Sequence, residues 1–205
     1  MKVLLVNGSP HAAGCTFTAL KEMEKVFQNE KVETEVIHVG HLDIHGCIGC
    51  RKCVELGHCV FQDIVNEVAE KFKDADGLVV GSPVYYASPA GSLLAFLDRL
   101  FTSASFDKTM KVGAAVVSAR RAGTITSFDV LNKYFAISGM PIASSQYWNE
   151  VHGSSAAEVV QDLEGMQTVR ILARNMAFLM KSIALGKKEY GLPEKEERVW
   201  TNFIR

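Results

Sequence analysis

The stretch that decides the fold is Lys2-Val3-Leu4-Leu5-Val6-Asn7-Gly8-Ser9-Pro10-His11-Ala12-Ala13-Gly14-Cys15-Thr16. Four consecutive apolar residues, Val3 to Val6, read as a strand buried on both faces. A polar loop follows over 7–16. Phe17, Leu20, Met23, Val26 and Phe27 then recur near a 3–4 spacing, which predicts a helix over 16–29. A strand that turns tightly into a helix delivers the helix's first amides to the loop. Those amides lack intrahelical partners, and the helix dipole puts partial positive charge there. Gly8 and Gly14 let the chain turn, Ser9 and Thr16 offer hydroxyls, and His11 adds a donor. The loop reads as an anion site, and specifically as a place for a phosphate.

Outward from this junction, strands and helices alternate. Strands are predicted over 32–39, within 75–81, within 111–118 and over 140–144. Helices are predicted over 63–74, 90–101, 127–137 and 155–184, the last with a break at Gly165. Alternation of this kind implies a parallel sheet covered by helices on both faces. Five strands favour the flavodoxin-like doubly wound α/β arrangement, strand order 2-1-3-4-5. One domain over 1–205 is expected, with a cysteine-containing insertion at 40–62 and a charged C-terminal tail at 187–205.

Composition narrows the function classes. With 205 residues, 48% hydrophobic and 22% charged, the chain suits one globular domain with a full core. A net charge of −1 carries no basic excess, so nucleic acid is not an expected partner. No apolar run approaches the roughly 20 residues that span a bilayer, so no membrane partner is expected. No signal-peptide pattern precedes the first strand, and the expected location is the cytoplasm. Five cysteines would be reduced there, and an odd number argues against a complete disulfide framework.

Three loops follow predicted strands one, three and four: 7–16, 82–89 and 118–124. All lie at the carboxyl edge of the sheet, where this topology places ligands. The first is not a dinucleotide fingerprint, because it lacks G-x-G-x-x-G. It is not a P-loop either, because Cys15 stands where the lysine should be. A monophosphate held by amides and hydroxyls remains. In the second loop, Pro83 and Pro89 stiffen the chain, and Tyr85 and Tyr86 beside Val84 can wall a flat ring. In the third, Arg120 or Arg121 can neutralise electron density, and Gly123 permits close backbone approach. FMN combines a monophosphate, a flat redox ring and a polar rim. The predicted contacts are Ser9, His11, Gly14, Cys15, Thr16, Pro83, Val84, Tyr85, Tyr86, Arg121 and Gly123.

Gly8-Ser9-Pro10-His11 with Gly14-Cys15-Thr16, and Gly81-Ser82-Pro83-Val84-Tyr85-Tyr86 leading to Phe96-Leu97-Asp98-Arg99, resemble the flavodoxin-like NAD(P)H-dependent FMN reductase family. The similarity is nearest to its branch of iron–sulfur flavoproteins and covers at least residues 2–140. The family usually has arginine where His11 stands and asparagine where Cys15 stands. Both changes leave the amide cradle in place and bear on phosphate affinity. The resemblance implies FMN at these positions, hydride taken from NADH or NADPH at the flavin N5, and a homodimer or higher homo-oligomer with the flavin near the interface.

Cys47, Cys50, Cys53 and Cys59 have the spacing C-x2-C-x2-C-x5-C. Thiolates so spaced suit a four-iron, four-sulfide cluster or zinc; equally, they pack as small apolar residues with no metal. The iron–sulfur flavoproteins that this chain resembles carry a compact motif of this form, which implies a 4Fe–4S cluster passing single electrons to FMN. Cys15 stands apart, as an amide contact to phosphate. Two functions follow. One is an oxidoreductase passing electrons from NADH or NADPH through FMN to a quinone, azo or nitro compound, metal ion or free flavin, with no acid–base residue required. The alternative is an iron–sulfur flavoprotein electron carrier that docks with redox proteins. A third, redox sensing by the four cysteines, is the weakest. Tyr147 to Gly153, an aromatic-polar run, reads either as a cover for the flavin or as a cap on the sheet.

Overall fold

The computed structural model describes residues 1–201 and Phe203. In chain order the elements are β1 Lys2–Asn7, α1 Cys15–Asn29, β2 Glu33–His38, α2 Cys53–Leu56, α3 Ile64–Asp74, β3 Gly77–Tyr85, β4 Ser88–Pro89 and α4 Gly91–Ser103. They continue with β5 Val112–Ala119, α5 Thr124–Ile137, β6 Glu150–His152, α6 Ala156–Gln161 and α7 Leu163–Tyr190. The parallel strands run in the order β2-β1-β3-β5-β6, which is the expected 2-1-3-4-5 order once the short antiparallel β4 is set aside. The flavodoxin-like fold expected from the sequence is therefore the fold observed.

The apolar runs explain the layering. In β1, Val3 and Leu5 face α1 and α7, while Leu4 and Val6 face α3 and α4; all four are fully buried. Val112, Ala114 and Val116 of β5 join the first cluster, and Ala115 and Val117 the second. Period-two alternation on a sheet covered on both sides buries every position, so the central strands read as continuous apolar runs. Truncating one of these large side chains, Leu5 to Ala for instance, is expected to cost about 2–5 kcal/mol. β2 lies at the edge and is polar: Glu35 pairs with Lys2 at 2.9 Å and with Lys71 at 2.5 Å. Charge on an edge strand also discourages pairing with another chain. No helix among the described residues is long and apolar enough to cross a membrane.

The structure corrects four boundaries. The fifth strand is not Met140 to Ser144. Around Ile142 there is only an isolated bridge to Gly113, and the ladder resumes at Glu150–His152. Two contacts explain the gap. Asn175 of α7 donates to the Ser144 carbonyl at 2.9 Å, and the Ser145 hydroxyl donates to the Thr168 carbonyl at 2.6 Å. Helix α7 thus draws the chain off the edge of β5. The predicted long helix breaks at Asp162 rather than at Gly165. Asp162 caps α7 through the Gly165 amide and also accepts from the His152 amide at 2.7 Å, tying the break to β6. Helix α7 runs on to Tyr190, so the first residues of the predicted tail are helical. β3 also extends to Tyr85, well beyond its apolar core.

Candidate functional site

Loop 7–16 is built from its own buried polar groups. The buried Asn7 accepts the Ser9 amide on Oδ1 at 3.1 Å, and the Ser9 hydroxyl accepts the His11 amide at 3.2 Å. Asn7 also offers its backbone carbonyl to the amides of Val39 and Gly40. His38, at the end of β2, bonds the Ser9 carbonyl through Nε2 at 2.7 Å and stacks on His41 at 4.2 Å. Gly40 lies so close that a Cβ there would sit 2.2 Å from the Ser9 carbonyl oxygen. Thr16 Oγ1 and Ser118 Oγ are 2.8 Å apart, both buried, and join α1 to the end of β5. Cys15 donates its thiol to the Gly153 carbonyl at 3.5 Å, and burial pushes that thiol's pKa up.

Beside this loop, Val84 to Pro89 folds into a two-residue hairpin of β3 and β4. Its tip residues, Tyr86 and Ala87, have φ of 52° and 58°, the values a tight hairpin turn demands but side chains resist. Tyr86 is fully exposed and Tyr85 about half exposed, so neither walls a closed pocket in the single chain. Gly123, with φ of 92°, opens α5. Its absent Cβ faces Val84 and Ala87, so this glycine seats the third loop against the hairpin. Thr126 reinforces that contact by donating to the Ala87 carbonyl at 2.7 Å. Arg120 and Arg121 are exposed, and neither makes an ion pair among the described residues.

The helices that follow the three loops start differently from α3, α6 and α7; the one-turn α2 also lacks a side-chain cap but carries Glu55 in its first turn. α1, α4 and α5 all follow one of the three loops. None has a side-chain cap, and none has an acidic residue in its first turn. α3, α6 and α7 are capped by Asp63, Ser155 and Asp162, and each carries a glutamate in its first turn. Bare amides and an uncompensated dipole suit an incoming anion. The loop amides of Ala12 and Ala13 and the first-turn amides of Cys15, Thr16 and Phe17 in α1 have no protein acceptor among the described residues.

The cysteine segment is arranged differently. Cys47, Cys50, Cys53 and Cys59 all line one cavity of about 500 Å³, together with Arg99, Thr102, Ser103 and Trp200. No disulfide joins them; Cys47 and Cys50 are exposed, and Cys53 and Cys59 half-buried. Among the described residues, no three Cys, His, Asp or Glu side chains lie close enough to share an ion. The floor is the last turn of α4. Cys53 donates its thiol to the Thr102 carbonyl at 3.8 Å. Arg99, 1% exposed, donates Nε–H to Cys59 Sγ at 3.3 Å and forks onto Asp63 at 2.6 and 2.8 Å. Burial lowers the Arg99 pKa, but the hydrogen bonds to Asp63 and Cys59 outweigh it, and the net direction is upward. Ser103 is buried, and its hydroxyl has no partner among the described residues.

Residues 1–154 match the family of NADPH-dependent FMN reductases. The chain belongs to that family. An iron–sulfur flavoprotein of Methanocaldococcus jannaschii is 31% identical over 191 residues, 89% of this chain and 99% of the relative. An iron–sulfur flavoprotein of Methanosarcina thermophila is 27% identical over 188 residues, 89% of this chain and 97% of the relative. A flavodoxin from the domain Archaea superimposes with a TM-score of 0.61 at 16% identity, over 88% of this chain and 99% of that one, and shares the fold. The FMN reductase family and its iron–sulfur flavoprotein branch, read from paired loop motifs, are thereby shown, and with them a flavin-dependent oxidoreductase.

Within this FMN reductase fold, the structure brings Ser9, His11, Gly14, Cys15 and Thr16 together at one helix end. Pro83, Val84, Tyr85 and Tyr86 lie along the neighbouring strand and hairpin, with Gly123 packed on them. Two hydroxyls are already engaged: Ser9 with the His11 amide and Thr16 with Ser118. Sequence reading misses His38, Gly40 and Ser118 as loop-shaping residues. The one usable signal is that a histidine ends β2 beside β1, with a glycine two residues on. It also misses Arg99 and Ser103 at the cysteine cavity. Their i, i+4 spacing on an amphipathic helix gives no hint that both line the cysteine cavity.

Proposed function

We propose that this chain is an FMN oxidoreductase of the iron–sulfur flavoprotein kind, with FMN across the three loops and a 4Fe–4S cluster on Cys47, Cys50, Cys53 and Cys59. The chief support is the bare N-terminus of α1 at the end of a loop pinned by Asn7, His38 and Gly40. A flavin phosphate there meets free amides and a favourable dipole, with His11 as an added donor. The hairpin at Tyr85 and Tyr86 would flank the ring, and Arg121 and the N-terminus of α5 would supply positive charge to it. Bound flavin supplies two-electron and one-electron chemistry, and a bound cluster supplies single-electron exchange. The chain's own part is to hold, orient and electrostatically bias these groups.

The fit of the cysteine site rests on its donors. Four free thiols line one cavity, and the buried Ser103 hydroxyl beside them has no partner among the described residues. Two of the thiols are exposed on a loop with left-handed residues at Gly49 and Arg51, so ligation would draw that loop inward. Metal binding that completes local folding is common in such segments. NADH or NADPH is the proposed reductant, and the half-exposed Tyr85 would border its approach to a bound flavin. A small-molecule acceptor or a redox protein takes the electrons.

The carrier reading, in which a redox protein rather than a nicotinamide supplies electrons, is favoured by the exposure of Cys47 and Cys50. Stopped-flow reduction of anaerobic protein distinguishes the two. Rapid flavin bleaching by NADH or NADPH supports the enzyme. Bleaching only by a reduced ferredoxin supports the carrier, and no bleaching by either sinks both.

A further inference from the structure

We infer that Arg99 and Ser103, one turn apart on α4, are the cysteine site's hydrogen-bond donors: Arg99 to the Cys59 sulfur and Ser103 to a sulfur that a bound cluster brings into the cavity. This rests on the reading of the four cysteines as a cluster site and adds what tunes it.

The geometry is specific. Residues four apart on a helix lie on one face, so Arg99 and Ser103 line the same wall. Between them the Thr102 carbonyl accepts from Cys53. The last turn of α4 therefore touches two of the four cysteines directly. Arg99 is also fixed by everything around it. Besides the fork onto Asp63, its NH1 donates to the His45 carbonyl and its NH2 to the Phe61 carbonyl, both at 3.3 Å. Its guanidinium lies 5.0 Å from the centre of the Phe61 ring, which stacks on His45. One side chain thus ties both ends of the cysteine segment to α3 and α4, and aims its remaining N–H at sulfur. Asp63 is itself held as the cap of α3, so the guanidinium has little freedom to turn.

Ser103 is the second, independent indication. A buried hydroxyl without a partner is costly, and native structures rarely keep one for packing alone. Ser103 is 3% exposed and borders the cavity. Its missing acceptor is supplied if sulfide or thiolate occupies that space. Hydrogen bonds to cluster sulfurs are among the features that set a cluster's reduction potential, because they stabilise the more negative, reduced state. Both residues should therefore raise the potential. They are positioning residues, since neither replaces a ligand.

The test uses the full chain, purified anaerobically as wild type, Ser103→Ala and Arg99→Lys. Iron, acid-labile sulfide, FMN affinity and the cluster midpoint potential are measured in each. Ser103→Ala removes a hydroxyl that has no partner among the described residues, so the fold should persist, with FMN affinity within about twofold of wild type. Arg99→Lys keeps the charge and loses the Nε–H directed at Cys59. The expected result is full iron in Ser103→Ala with a more negative cluster potential and an unmoved flavin potential. Arg99→Lys should shift the cluster potential the same way and lose part of its iron. A cluster potential equal to wild type in both variants overturns the inference while leaving the cluster in place. Wild type without iron overturns the cluster reading itself, and the inference with it. If Arg99→Lys misfolds, Ser103→Ala alone decides.

Discussion

The two ends of the proposed redox site are held in opposite ways. Around loop 7–16 the backbone is fixed by buried Asn7, by His38 on the Ser9 carbonyl and by Gly40 packed against Ser9. Around the cysteines, Arg99, Asn66 and the floor of α4 restrain a segment that exposes Cys47 and Cys50. The difference follows from what each ligand demands. A phosphate needs donors whose direction is set beforehand, and a strand-loop-helix junction supplies them from the main chain. A cluster needs thiolates, which the metal itself can gather into place. The proposed phosphate site is then a property of the fold, and the proposed cluster site a property of the fold with its ligand.

Removing a thiol should separate these ends most sharply. Cys59→Ser is expected to abolish cluster retention, leaving iron near background, while FMN affinity stays within about twofold of wild type; metal analysis and flavin fluorescence titration check both. If flavin is lost along with iron, the two ends are not independent. The reverse experiment is Gly40→Val. Its side chain has no room against Ser9, so the loop must shift. Overpacking of this kind costs about 1–3 kcal/mol, which predicts an FMN dissociation constant raised by about tenfold or more, with iron retained. Asn7→Ala is milder, removing one buried acceptor from the Ser9 amide. About 1 kcal/mol is expected, or roughly a fivefold weaker FMN.

His11 is exposed and its effect should be smaller still. His11→Ala is expected to weaken FMN by about threefold, and His11→Arg to restore or exceed wild-type affinity, because a guanidinium binds phosphate with two parallel donors. Unchanged affinity in both would remove His11 from the phosphate site. The smallest effect concerns Cys15. Burial favours its neutral thiol, so at neutral pH it should alkylate more slowly than the exposed Cys47 and Cys50 of apoprotein. Its rate should climb only above the pH range where ordinary thiols ionise. Peptide mapping after brief alkylation reads this directly.

The strand-loop-helix junction at the proposed phosphate end is legible in the sequence because every feature is local. Val3 to Val6, the polar loop and the spacing from Phe17 to Phe27 lie within one short stretch, and their physics does not depend on distant partners. What stays hidden depends on register. His38 reaches Ser9 only because β2 pairs with β1 so that His38 lies opposite Asn7. The fifth strand is misplaced because Glu150-Val151-His152 carries no apolar run. Its strand character comes from the β5 edge, while Ser144 and Ser145 are captured by α7. Gly123 is recognisable as special, but its purpose, seating one loop on another, needs the hairpin at Tyr86 and Ala87. The four cysteines announce a site through spacing alone. Arg99 and Ser103 do not, because an arginine and a serine on a helix have no distinctive pattern until the cavity beneath them is known.

The most direct measurement is the optical spectrum of anaerobically purified protein, compared with a variant in which Cys47, Cys50, Cys53 and Cys59 are all serine. The expected wild-type spectrum has flavin bands on broad cluster absorption, and the variant keeps the flavin bands and loses the broad absorption. A colourless wild type, or a variant that loses both together, would contradict a prebuilt flavin site beside a ligand-gathered cysteine site.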